Sequence, residues 1–152
     1  MNKKKGITLL LTALFFTIMP DIANSQKIMS IVKSHSNLSS FAKALEANKL
    51  DEKLDGKGPF TIFAPVNDIF DKEISGKSLT STSVKNLLLN HIMTGYATER
   101  NMKVMSKATT LGGVTLALNT GGKAVKINTA EVIEMNIKAR NGVLHIINGI
   151  LK

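Results

Sequence analysis

His91 and His145 are the side chains in this sequence best suited to move a proton or hold a metal near neutral pH, and each stands in an apolar neighbourhood. A metal centre at either would need further His, Cys or carboxylate ligands at short spacing. A nucleophilic triad would need an exposed serine in a strained turn beside its base. Neither pattern occurs, and the chain has no cysteine. An imidazole without such company reads as a core side chain whose nitrogens are hydrogen-bonded, because leaving one unpaired would cost ~1–3 kcal/mol. His35, in a polar stretch before a helix, reads as solvated. Asn67 and Asp68 could offer oxygens to a cation, but one carboxylate beside an amide at a helix start reads as a cap. Met93, Met102 and Met105 read as gap-filling core residues. Lys57-Gly58 lacks the long glycine-rich loop of a phosphate cradle. The expectation is no catalytic residue, no cofactor and no metal: a protein that binds rather than converts.

The elements that must position these residues are legible in part. Phe60 to Ala64 is an apolar run with a β-branched centre, and Pro65 cannot donate to a sheet ladder, so a buried strand stops where a helix carrying Asp68, Ile69 and Phe70 begins. Asn67 is positioned to cap that helix. Upstream, Ile28, Met29, Ile31 and Val32 suit a short helix. Leu38, Phe41, Ala42 and Leu45 form one face of a second, with Ser36 or Asn37 as its cap. Leu50 and Leu54 extend the stripe until Asp55-Gly56-Lys57-Gly58-Pro59 breaks it. A further helix starts near Thr80 to Ser83, with Val84, Leu87, Leu88 and His91 inward.

From Val114 the period changes to two. Val114, Leu116 and Leu118 alternate with polar or small residues, Thr120-Gly121-Gly122 turns the chain, and Val125 and Ile127 return it. Ile133, Met135 and Ile137 are expected on one face of the next strand. Asn141-Gly142 then reads as a tight turn tolerating positive φ before the final apolar strand through Val143, Leu144, Ile146 and Ile147. Helices early and strands late favour an α+β antiparallel domain over a parallel βαβ arrangement.

Residues 1–25 read as a bacterial-style secretory signal: Lys3, Lys4 and Lys5 precede an apolar stretch from Ile7 to Met19, then Ala23 and Ser25, with cleavage before Gln26. The stretch is shorter than the ~20 apolar residues a spanning helix prefers, so no stable membrane span is expected after cleavage. Residues 26–152 suffice for one domain whose core stands without disulfides. Removing the leader takes three lysines and one aspartate from a formal net charge of +9, leaving +7. The lysines are scattered without a run, which by itself indicates solubility and weak nonspecific attraction. A single tyrosine, no tryptophan and an exported address disfavour nucleic acid.

Two segments, Thr61-Ile62-Phe63-Ala64-Pro65-Val66-Asn67-Asp68-Ile69-Phe70 and Asn141-Gly142-Val143-Leu144-His145-Ile146-Ile147, with Leu87 to Gly95 between them, resemble the signature segments of a fasciclin-like domain. The resemblance covers residues 27 to 151. It implies a compact fasciclin-like α+β fold, a twisted antiparallel β-sandwich or wedge flanked by N-terminal and central helices, in which Thr61, Phe63, Ala64, Pro65, Asn67, Phe70, His91, Asn141, Gly142 and His145 are structural signature positions. It also implies adhesion or extracellular association. Two stretches implicated in receptor contact in animal members align with Asn90-His91 and Asn136-Ile137, where the family's tyrosine and aspartate are both replaced. The expected function is a non-enzymatic, secreted or periplasmic interaction module for an unknown cell-surface or matrix component, protein or glycan; a periplasmic small-molecule or lipid carrier is the alternative. Oligomeric state is not legible.

Overall fold

The computed structural model describes residues 26–152. The expected leader, 1–25, lies outside the described residues. Three short helices come first, α1 (Ile28–Ser34), α2 (Ser39–Ala47) and α3 (Leu50–Leu54), with a 3-10 turn at Ser36–Leu38. Strand β1 (Phe60–Pro65) leads into α4 (Asn67–Ser75) and α5 (Ser81–Leu89), then β2 (Ile92–Thr94) and α6 (Glu99–Val104). The remainder is β3 (Lys107–Thr109), β4 (Thr115–Asn119), β5 (Lys126–Ile127), β6 (Ala130–Ala139) and β7 (Gly142–Ile147). This is an α+β fold with a sheet ordered β2-β1-β7-β6-β5-β4-β3.

The two signature strands lie side by side at the sheet's centre, β1 and β7 pairing from Phe60 with Gly142 to Pro65 with Ile147. That pair is parallel, whereas β1–β2, β3–β4, β4–β5, β5–β6 and β6–β7 are antiparallel. The sheet is therefore mixed. The long excursion between β1 and β7 gives the chain room to return in the same direction, which a tight hairpin cannot do.

All six residues of each central strand are buried, which explains why these runs show no alternation. Ile62, Ala64, Leu144 and Ile146 face one hydrophobic cluster with Ile28, Val32, Phe41, Leu45, Leu54, Phe70 and Leu88 from the helices. Phe63 and Ile147 belong to a second cluster with Leu116, Leu118, Ile127 and Val132 from the far half of the sheet. The sheet thus closes over the second face of its own centre. Met93 and Met102 are buried in this second cluster, with Met105 packed against it.

Three local expectations are corrected. In β6, Val132 is buried and Ile133 is exposed, because register irregularities between Val132 and Glu134 and between Glu134 and Ile137 shift the alternation. Neither Asn141 nor Gly142 is among the positive-φ residues; the side chain of one and the missing Cβ of the other are what the turn uses. A Cβ on Gly142 would lie 2.1 Å from the Phe60 carbonyl oxygen, so the glycine admits β1. Asn67 does not cap its own helix, whose N-cap is Val66. Its side-chain Oδ1 accepts from the Ser40 amide at 3.0 Å, and its side-chain Nδ2 donates to the Ser36 carbonyl and Ser39 Oγ, both at 3.0 Å. Asn67 thereby supplies from a distance the α2 cap expected of Ser36 or Asn37.

Candidate functional site

Residues that look reactive in the sequence are engaged in holding backbone. His91 Nδ1 lies 2.8 Å from the Leu87 carbonyl, which can only accept, so Nδ1 carries the proton. Its Nε2 then accepts from the Leu151 amide at 3.1 Å. His145 takes the opposite tautomer: Nε2–H donates to the Ala97 carbonyl at 2.7 Å, and Nδ1 accepts from the Asn136 amide at 3.3 Å. Burial pushes the His91 imidazole down to about 4 and that of His145 below its ordinary value, in each case against a backbone hydrogen bond that favours the charged form. Both rings are neutral at pH 7. His91 meets Phe41 edge-on at 5.9 Å between ring centres, and His145 stacks on its β1 neighbour Phe63 at 5.5 Å.

Buried Thr61 and Asn141, and the half-buried Asn136, do the same work. Thr61 Oγ donates to the Gly95 carbonyl at 2.6 Å and accepts from the Ala97 amide at 2.9 Å. Asn136, in a left-handed conformation with φ 58°, accepts the Glu99 amide on its side chain at 2.9 Å. Asn141 accepts from the Ile28 amide at 2.8 Å and donates to the Leu54 and Gly56 carbonyls at 2.7 and 2.8 Å. Its own carbonyl accepts from the Phe60 amide at 2.9 Å. No buried side-chain nitrogen or oxygen among the described residues lacks a partner.

Among the four candidate contact residues, His91 is wholly buried with both nitrogens engaged, so it presents nothing to a partner. Asn90, Asn136 and Ile137 are partly exposed. Asn90 closes α5 with its carboxamide so near Gly112 that a Cβ there would meet the Asn90 oxygen at 2.0 Å. Asn136 adjoins the start of α6, and Ile137 pairs with Leu144. The structure does not gather Asn90 with Asn136 through any hydrogen bond.

What the buried network does bring together is a surface. Asn141 fixes the chain at Gly56 and Ile28, flanking Lys57 and Lys27, while Thr61, His145 and Asn136 fix the stretch from Gly95 to Glu99, including Tyr96 and Thr98. Between these segments, three depressions adjoin. Lys27, Asp55, Lys57 and Arg140 line the first; Tyr96, Thr98, Lys138 and Arg140 the second; Thr98, Arg100, Lys103, Asn136 and Lys138 the third. Arg140 lines both of the first two, and Lys138 and Thr98 line both of the last two, so the three form a row of adjoining depressions, a groove partitioned by these shared side chains.

Sequence reasoning missed this groove because its cations are far apart along the chain. It also missed the capping box in which the Thr98 hydroxyl accepts the Asn101 amide and the Asn101 side chain accepts the Thr98 amide, both at 3.3 Å. Thr and Asn at three-residue spacing was a signal that could have found it. Among the described residues, no cluster of three or more His, Cys, Asp or Glu side chains could hold a metal ion, and no helix is long and apolar enough to cross a membrane.

The fasciclin domain family profile matches residues 36–152. Protein sll1483 of Synechocystis sp. is 30% identical over 134 residues, covering 84% of this chain and 74% of the relative. Transforming growth factor-beta-induced protein ig-h3 of Sus scrofa is 26% identical, covering 82% of this chain, which spans only 19% of that longer protein. Among solved structures, a FAS1 domain pair from the insect cell adhesion molecule Fasciclin I superposes with a TM-score of 0.71 at 14% identity, over 85% of this chain and 51% of that one. At that identity the superposition speaks for the fold.

Proposed function

The chain belongs to the fasciclin domain family, and from that membership we propose that it is a non-enzymatic exported interaction module which associates with a cell-surface or matrix component. One observation carries the reading. The side chains best equipped for chemistry, His91, His145, Thr61 and Asn141, are buried, neutral and spent on backbone groups, while the surface that Thr61, Asn141 and His145 help frame is open. Function in such a fold resides in a surface site, since the scaffold itself dictates no activity. The occurrence of a similar domain pair in a cell adhesion molecule supports association as that activity.

The test uses the protein expressed from its full-length coding sequence. Fluorescently labelled, it should bind intact cells or envelope preparations of its host saturably and release nothing chemically altered. Failure to bind any of these would overturn the reading. Fractionation should place it outside the cytoplasm and shortened by the leader; a full-length cytoplasmic product would overturn the exported part. No observation favours the carrier reading, since Met93 and Met102 are packed within the second cluster.

A further inference from the structure

We propose that the groove running from Lys57 past Arg140 and Lys138 to Arg100 binds a linear anionic polysaccharide. The inference rests on the interaction-module reading and names the chemistry of its partner. Six cations, Lys27, Lys57, Arg100, Lys103, Lys138 and Arg140, line the adjoining depressions against two carboxylates, Asp55 and Glu99. Glu99 is already engaged by Lys103 at 3.0 Å. Elsewhere two carboxylates pair with lysines, Glu46 with Lys33 and Glu73 with both Lys77 and Lys152. Among the described residues, the remaining groove cations have no carboxylate within ion-pair distance.

The arrangement is a track rather than a point. Three depressions side by side, sharing Arg140 and Lys138 as walls, suit a chain with repeating negative charges better than a single compact anion. Tyr96, half exposed at 50%, lines the middle of the track beside Thr98, giving an apolar ring face and a hydroxyl next to the cations. A sugar ring offers both C–H faces and hydroxyls to such a pair. A single aromatic ring is a poor stacking platform for a run of nucleobases.

The track is also preorganised. Lys138 and Arg140 stand at the end of the β6–β7 hairpin, and the opposite segments are tied down by Thr61, Asn136, Asn141 and His145. The backbone that carries the track is therefore fixed before a ligand arrives, and the ordering left to binding is that of the exposed lysine and arginine side chains.

The experiment measures binding of dextran sulfate, with neutral dextran as the matched control, to the purified protein and to three variants. Lys138→Glu/Arg140→Glu reverses two charges within the groove. Lys43→Glu/Lys85→Glu reverses two exposed charges outside it. Tyr96→Ala keeps the charge and removes the ring. The protein should bind dextran sulfate, ignore dextran, and weaken as salt rises. The groove reversal should lose about ten-fold or more in affinity and the outside reversal less than about three-fold, with Tyr96→Ala between them. Equal losses in the two reversals would overturn the groove, since attraction would then be diffuse. Tighter binding to phosphatidylglycerol vesicles or to duplex DNA, abolished by the groove reversal, would overturn the polysaccharide assignment in favour of that partner. If the groove-reversed variant still binds host cells while the parent ignores dextran sulfate, the ligand class falls and the interaction reading stands. If the parent ignores both, the two fall together.

Discussion

His91 is neutral when folded first because burial penalises the imidazolium, and also because a second proton, on Nε2, would point at the Leu151 amide, donor against donor. Its folded value near 4 lies below the ordinary 6.5, so the unfolded chain takes up a proton first as pH falls. The resulting stability, roughly 3 kcal/mol, is complete above pH ~6.5 and lost progressively towards pH ~4. His145 acts with the same sign. His91→Gln should therefore destabilise the protein by ~2 kcal/mol near neutral pH, with a gap to the parent that narrows on acidification. Urea denaturation near pH 7 and pH 4.5 measures this, and a gap that widens in acid would refute the assigned protonation state. Asn141 makes the sharper comparison. Asn141→Ala should cost ~3 kcal/mol, since two buried backbone groups and a third, partly buried one at Gly56 lose their partner. Asn141→Asp should cost no less, because its carboxylate would keep the Ile28 amide but face the Leu54 and Gly56 carbonyls. Thermal melts of the two variants decide it.

Elements in this fold are finished by residues from other elements. Helix α2 begins without a cap of its own, and Asn67 at the head of α4 completes it. Asn67→Ala should cost ~1 kcal/mol, and its effect on amide exchange should appear first at Ser40 in α2, with the α4 amides spared. The closeness of β1 and β7 depends on Gly142 in the same way. Gly142→Ala would place a methyl 2.1 Å from the Phe60 carbonyl oxygen and should destabilise by more than ~2 kcal/mol, readable in the denaturation midpoint. These dependences explain what the sequence could reveal. The runs Phe60–Pro65 and Gly142–Ile147 announce strands buried on both faces, and Thr80 is found where a cap was expected, holding the Ser83 amide. A cap supplied from 27 residues away leaves no local mark. Nor does the bulged register of β6, which turns Ile133 outward although its spacing places it inside.

At the scale of the molecule, folding converts a scattered charge into a gathered one. Lysines and arginines at 27, 57, 100, 103, 138 and 140 show no run in the sequence, yet the β6–β7 turn, the Gly56 segment and the start of α6 bring them along one groove. The pairing of β1 with β7 underlies this, because the side chains that frame the groove project from those two strands and their immediate neighbours. Four amides report on the arrangement directly. Ile28, Ala97, Glu99 and Leu151 each donate to a side chain, respectively Asn141, Thr61, Asn136 and His91, and none of these four bonds belongs to a helix or strand ladder. Native-state hydrogen exchange at these positions is the decisive measurement. If these polar side chains fix the surrounding segments to the central strands, all four amides exchange as slowly as those of β1 and β7, through near-global opening. Fast exchange at Ala97 and Glu99 beneath protected central strands would contradict the account, since the groove would then have no fixed wall.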